Sequence, residues 1–208
     1  MKTVASQAGK TSNMAVKNMI TIGMLAAIAV ILMLFEFPIP FLAPGFYKLD
    51  LSELPVLIGT FAMGPVAGIA IEFVKILLNL LINGTTTAYV GELGNFIVGC
   101  AFLIPAGIIY WRKKTFKRAV IALVVGGLTM VAAGSLMNAY VLLPAYGKAF
   151  GMPVQAFVEM GTAVHSSVNS LLGFVALIIV PFNLVKYTIV SVIVFFVYKR
   201  IRVVLRGD

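Results

Sequence analysis

The sequence predicts an all-α, polytopic membrane protein of six transmembrane helices with both termini in the cytoplasm. Three observations predict it. Of 208 residues, 61% are hydrophobic and only 11% are charged. Soluble domains run at about 45–50% apolar and about 25% charged, so a globule of this size could not bury so much apolar surface. Mean hydropathy is +1.06. The third is the placing of the basic residues, which cluster between apolar runs and account for a formal net charge of +9. Nothing else in the chain resembles a nucleic-acid-binding signature, so that class is set aside. The one cysteine, Cys100, cannot form an internal bridge.

A bilayer core needs roughly 20 apolar residues per helix. Residues 1–13 read as a flexible cytoplasmic tail, and residues 19–35 as span 1. The apolar run is long for a cleaved signal, and FEFPIPF follows it where a small-residue cleavage site would stand. Residues 37–53 are an outer loop in which Pro38, Pro40 and Pro44 forbid a regular helix. Residues 54–63 make a short span 2, able to cross only if that loop dips into the membrane, where protein or a cavity must cover it. Gly64-Pro65 breaks the run, and span 3 follows over residues 66–82. After a polar turn comes span 4, residues 92–111, and then a basic loop, 112–118. Span 5 covers residues 119–143. A second long outer loop covers 144–165. Span 6 covers 168–198 with an interruption at Pro181. Residues 1–18, the 112–118 loop and the C-tail hold twelve basic residues, against Lys48 and Lys148 on the other side. That asymmetry places both termini inside. No internal repeat divides the chain, which reads as one membrane-embedded domain over residues 1–208.

Polar groups inside spans are expensive and mark sites or partners. Glu72, Lys75 and Asn79 share one face of span 3 by their spacing. Glu72 and Lys75 can neutralise each other, while Asn79, nearer the outer end, can face a ligand. Asn183 and Lys186 share a face of span 6, and Lys186 has no acid within helical reach. It therefore needs a distant carboxylate or a ligand, and the ligand is the expectation taken here. Lys offers three donors, and Asn offers both a donor and an acceptor, which suits a ligand edge of alternating carbonyls and N–H groups. Asn138 is either interhelical glue or a ligand contact. Glu92 and Asn95 open span 4. Asp50, Glu53 and Glu92 each precede or start a helix and can act as caps. His165 lacks an acidic partner, and no nucleophile–base pair, metal cluster or nucleotide loop is present, so no enzyme is expected. Gly23, Ala26 and Ala27 form a small-residue face on span 1 for packing or for docking a membrane partner.

Four segments carry a resemblance: FPIPFLAPGFYKLDLSELP (37–55), TFAMGPVAGIAIEFVKILLN (60–79), NAYVLLPAYG (138–147) and PFNLVKY (181–187). The chain resembles the substrate-binding S-components of energy-coupling-factor vitamin transporters, and among them the riboflavin-specific group. The resemblance implies a bacterial cell-membrane protein that captures riboflavin from outside under the first loop. It implies partners as well: a transmembrane coupling subunit and two cytoplasmic ATPases, whose ATP use reorients the S-component. Riboflavin would be transported ligand, with no cofactor. Family ligand contacts map onto Asn138, Asn183 and Lys186, and more loosely onto Leu49, Asp50, Asn79, Glu92 and Asn95. The family's docking face falls on Gly23 and Ala27. Phe41, Phe46, Tyr47 and Tyr140 can line or stack on a flat apolar ring. The outer side holds no arginine for a phosphate, which favours riboflavin over its phosphate ester, although Lys48 and Lys148 leave the ester open. Two other classes remain at this stage. One is a stand-alone, ion-driven carrier for a small polar solute or another vitamin, with Glu72 and Lys75 as its coupling pair. The other is a structural membrane protein without a ligand.

Overall fold

A computed structural model describes the backbone of residues 2–85 and 87–206 and the side chains of residues 15–85 and 87–198. The elements run α1 (Lys2–Leu34), β1 (Phe37–Pro38), β2 (Lys48–Leu49), α2 (Glu53–Met63), α3 (Pro65–Asn83), α4 (Val90–Arg112), α5 (Phe116–Met137), α6 (Leu143–Phe150), α7 (Val154–Val164), α8 (Leu171–Phe174) and α9 (Val180–Arg206). Among the described residues, five stretches are long and apolar enough to cross a bilayer: Ala15–Leu34, Pro65–Asn83, Val90–Arg112, Phe116–Phe150 and Leu171–Tyr198. α2 is a shorter apolar helix. Helical backbone also extends over residues 2–13, the stretch expected as a tail.

Local chemistry sets these boundaries. The proline-rich segment after α1 makes a two-stranded antiparallel strap, with Phe37 opposite Leu49 and Pro38 opposite Lys48. Pro38 can occupy this edge because a short, isolated ladder has few N–H groups to lose. Gly64 separates α2 from α3 at φ 101°, a conformation that side-chain-bearing residues avoid. Pro65 then starts α3, where its missing N–H costs nothing. The Trp111 ring lies against Gly64, so the break is also packed from outside. Thr115 caps α5 by accepting the Arg118 N–H.

Two expectations need correction. Span 6 is not interrupted at Pro181, and the 144–165 segment is not a loop throughout. A π turn over Asn138–Leu142 joins α5 to α6, and another over Val175–Ile179 joins α8 to α9. Each ends two residues before a proline, Pro144 or Pro181. A proline ring collides with the carbonyl four residues back. Widening the preceding turn to i→i+5 bonds, Leu143 N–H to the Asn138 carbonyl and Val180 N–H to the Val175 carbonyl, lets the helix continue past it. α6 therefore extends to Phe150, and Gly151 at φ 65° ends it. Pro153 precedes α7, which fills much of the rest of the expected loop.

The core divides along the bundle. One apolar cluster includes Val56, Leu57, Phe61, Phe102, Ala106 and Tyr110 and joins α1, α2, α3, α4, α5 and α9. Phe61 stacks on Tyr110 with centroids 4.4 Å apart. The second gathers strap residues Ala43 and Leu49 with Leu143, Phe157, Phe174 and Ile178. Between this strap end and the first cluster lies the cavity.

A buried polar cavity under the strap

The cavity has a volume of about 870 Å³ and opens at the end of the bundle that carries the strap. Its walls come from the end of α1, the strap, α2, α3, α4, α5, α6, α7 and α9. Lys48 pairs with Glu36 at the strap's neck, and both line the opening. This size falls in the range of roughly 300–1,000 Å³ typical of small-molecule sites.

Most of the expected site residues converge here. Asn79, Glu92, Asn95, Tyr47, Asp50, Asn138, Asn183 and Lys186 all line the cavity. Asn138 sits at the first π turn. Its Nδ2 donates to the Gly134 carbonyl (2.7 Å), and its Oδ1 accepts from the Tyr47 hydroxyl (2.6 Å). Burial, reinforced by the nearby Tyr146, pushes the Tyr47 phenol above its ordinary range, so it stays protonated and donates. Asn183 follows Pro181 in α9, and among the described residues no side chain hydrogen-bonds to its amide. Its Nδ2 lies where a Cβ on Gly134 would come within 2.9 Å, so the glycine leaves space for this amide. On the opposite wall, the Asn83 amide donates to Asn79 Oδ1 (3.0 Å) and Thr87 donates to Glu92 (2.8 Å). Glu92 thus holds a threonine hydroxyl rather than capping α4 through its backbone.

The expectation that Lys186 has no counter-ion is corrected. Its ammonium lies 3.0 Å from Asp50 Oδ2, although 136 residues separate them. The carboxylate comes from the strap's return segment, which no helical spacing could register. Asp50 Oδ1 also accepts the Ser52 N–H (2.8 Å). Burial alone would raise the Asp50 carboxyl, but the Lys186 ammonium, then Lys75, and the Ser52 hydrogen bond outweigh it and hold it at about 2. It is ionised across the physiological range. The Glu72–Lys75 pair forms as one of the two sequence readings has it (2.7 Å), while Asn79 lines the cavity as the other has it. Lys75 also donates to Glu53 (2.8 Å) and to the Ser52 hydroxyl (3.3 Å). Glu53 is therefore an ion-pair partner, not merely a helix start.

Several expected residues lie elsewhere. Tyr140 is 73% exposed, turned outward from the bundle by the π turn, and Phe41 is 86% exposed. Neither lines the cavity. The Leu49 side chain is buried in the apolar cluster beneath the strap. Ala26 is fully buried inside the bundle, whereas Gly23 and Ala27 face outward, so the three do not form one docking face. A helix turn separates inward from outward positions, and Ala26 falls on the inward stripe. Sequence reasoning missed Thr87, Gly134, Tyr146, Phe157 and Phe182 as wall residues. The polar pair Thr87 and Glu92 flanks a strained turn at Ala88 (φ 49°) and Tyr89 (φ 66°), which no periodicity reveals.

What the walls offer chemically is a slot with apolar and aromatic sides, several amide groups and the Lys186 ammonium. Phe46, Tyr47 and Phe182 stand on one side, with the Phe46 and Tyr47 centroids 4.6 Å apart and those of Tyr47 and Phe182 5.5 Å apart. Such a slot suits a flat molecule with one polar edge.

Residues 17–198 match the family model described as ECF transporter, substrate-specific component. A Staphylococcus aureus protein named riboflavin transporter RibU is 37% identical over 185 residues, spanning 89% of this chain and 90% of that protein. A Bacillus subtilis protein named riboflavin transporter FmnP is 31% identical, spanning 91% and 94%. A solved structure reported as the S component of a bacterial ECF transporter superposes with TM-score 0.70 at 36% identity, covering 89% of this chain and 95% of that one.

Proposed function

Since the chain belongs to the family of ECF transporter substrate-specific components, we propose that it captures riboflavin in the cavity beneath the strap for uptake through the membrane. It is a transport component and not an enzyme. Riboflavin is cargo, bound without covalent chemistry. The reading extends to a bacterial cell membrane crossed six times, α2 and the strap together making the short crossing. The basic residues then place both termini in the cytoplasm. A coupling subunit and two ATPases would drive release inside.

One observation carries the assignment: the Asn183 amide, without a side-chain hydrogen bond among the described residues, the Lys186 ammonium and Asn138 line the same cavity as the aromatic rings of Phe46, Tyr47 and Phe182. The pyrimidine edge of isoalloxazine presents carbonyls and an N–H in one plane. Asn183 can both donate to it and accept from it, and Lys186 keeps donors beyond the one given to Asp50. Asn79, Asn83, Asn95, Thr87 and Glu92 on the opposite wall supply partners for ribityl hydroxyls. Among the described residues the cavity walls contain no arginine, so nothing there matches the bidentate geometry that a phosphate ester favours.

The test is the absorbance spectrum of detergent-purified protein, before and after denaturation. A yellow preparation that releases free flavin is expected. A colourless protein that also fails to quench added riboflavin fluorescence rejects the proposal. A stand-alone carrier would instead move its solute into proteoliposomes under an ion gradient with no ATPase present.

Gly134 gives a sharper check. A Cβ there meets Asn183 Nδ2 at 2.9 Å, so Gly134→Ala forces the amide off its position. Riboflavin affinity, read by fluorescence titration, is expected to fall about tenfold, the value of one hydrogen bond of about 1.4 kcal/mol. The melting temperature should change little, because the amide has room in the cavity. Unchanged affinity would remove Asn183 from the site.

A further inference from the structure

Five ionisable side chains meet beside the cavity, all between 0% and 8% exposed: Asp50 from the strap, Glu53 of α2, Glu72 and Lys75 of α3, and Lys186 of α9. Three carboxyls face two ammoniums. Asp50 is matched by Lys186, and Lys75 lies between Glu53 and Glu72. Among the described residues, three of their oxygens have no hydrogen-bond partner: Glu53 Oε2 and both oxygens of Glu72. The Glu72–Lys75 contact is close but is not aligned as a hydrogen bond. Glu72 and Glu53 converge on Gly99, whose Cβ position would lie 2.6 Å from Glu72 Oε1 and 3.4 Å from Glu53 Oε1. Gly99 and Glu53 are themselves cavity walls.

We propose that Glu53 and Glu72 bind one proton between them, a buried proton site that brings the five-residue cluster to zero net charge. With every group ionised the cluster would carry a surplus negative charge away from water, a state that costs several kcal/mol. One proton removes the surplus. It also turns an acceptor-only carboxylate into a donor, giving an orphaned oxygen a partner. Two carboxyls sharing one Lys cannot both ionise cheaply. Asp50 is not the holder, because Lys186 and the Ser52 N–H both stabilise its anion. Glu53 accepts an aligned hydrogen bond from Lys75, so the proton rests on Glu72. Besides Lys75 on its own helix, the groups facing Glu72 are Glu53 from α2, Lys186 from α9 and the Cys100 thiol from α4, while Asp50 of the strap acts on Lys75. The charges of described α1 and α5 side chains, Lys17, Lys117 and Arg118, lie at the far end of the bundle. This site stands whether or not riboflavin is the cargo.

Infrared spectroscopy of the whole protein in detergent at neutral pH tests it. Only seven carboxyl side chains exist in the chain, so the background is small. A protonated-carboxyl C=O band is expected that shifts down in D2O and disappears in Glu72→Gln. Glu53→Gln should lose the band too, since the remaining acids then match the two lysines, and it serves if the first variant does not fold. The band should be the same in sodium chloride and in choline chloride. No band in the wild type, or a band surviving both substitutions, overturns the proposal. A band that appears only when sodium is withdrawn overturns it as well, because the site would then hold the metal ion.

Discussion

Lys186→Met is expected to lower the melting temperature of the detergent-solubilised protein and to weaken flavin capture, and adding Asp50→Asn should repair the first defect alone. The single substitution strands the Asp50 carboxylate, 4% exposed and 3.0 Å from the lost ammonium. Breaking a buried pair from one side costs about 3–5 kcal/mol. The double variant replaces both charges and leaves a neutral amide that can still take the Ser52 N–H, so stability returns. The ligand's charged donor does not return. A hydrogen bond from a charged group is worth about 1.5–3 kcal/mol, so affinity should stay roughly 10- to 150-fold weaker. Thermal unfolding and fluorescence titration on the two variants separate these effects. If the double variant binds as tightly as the wild type, Lys186 serves only to hold the strap.

Lys75→Met is expected to be the most damaging single change in the bundle. Its ammonium, 1% exposed, serves Glu53, Glu72 and the Ser52 hydroxyl together. Losing it leaves two buried carboxyls without a cation, again at about 3–5 kcal/mol, and the yield of folded protein should collapse. Lys75→Met with Glu53→Gln and Glu72→Gln should recover most of that yield, since an uncharged group of similar volume avoids the desolvation cost. The recovered triple variant should still take up flavin within a few-fold of wild-type affinity. Flavin uptake by cells carrying this variant decides between readings: an ion-driven carrier using Glu72 and Lys75 for coupling could not transport without them, whereas a capture subunit needs them only for packing.

The long apolar helices were legible because hydropathy reports apolar runs one residue at a time. The 66–82 expectation lies within Pro65–Asn83, and the 92–111 expectation within Val90–Arg112. The cost of polar groups in hydrocarbon likewise picked out Asn79, Asn138, Asn183 and Lys186, all of which meet in one cavity. What stayed hidden was pairing at long range. Helical spacing finds the Glu72–Lys75 contact three residues apart, but it carries no information about Asp50 reaching Lys186 across 136 residues. Orientation within a turn was hidden too. Tyr140 looked like a wall residue from its neighbour Asn138, yet the wide turn sends it outward. The prolines at 144 and 181 were read as stops, because the rule for a regular helix does not anticipate a turn that makes room for them.

Those two wide turns make span length part of the message. Each acts as a one-residue insertion in an otherwise regular helix. Deleting any single residue from 175–179 would restore the ordinary pitch and leave everything beyond it in phase, because the wide turn has already absorbed the extra residue. Asn183 and Lys186 would keep their direction, while the Pro181 ring would lose the room that the wide turn gives it. An alignment that closes a gap within this stretch therefore keeps the site in register, whereas one that places the same gap beyond it, nearer Asn183, misassigns the site by about 100° about the helix axis.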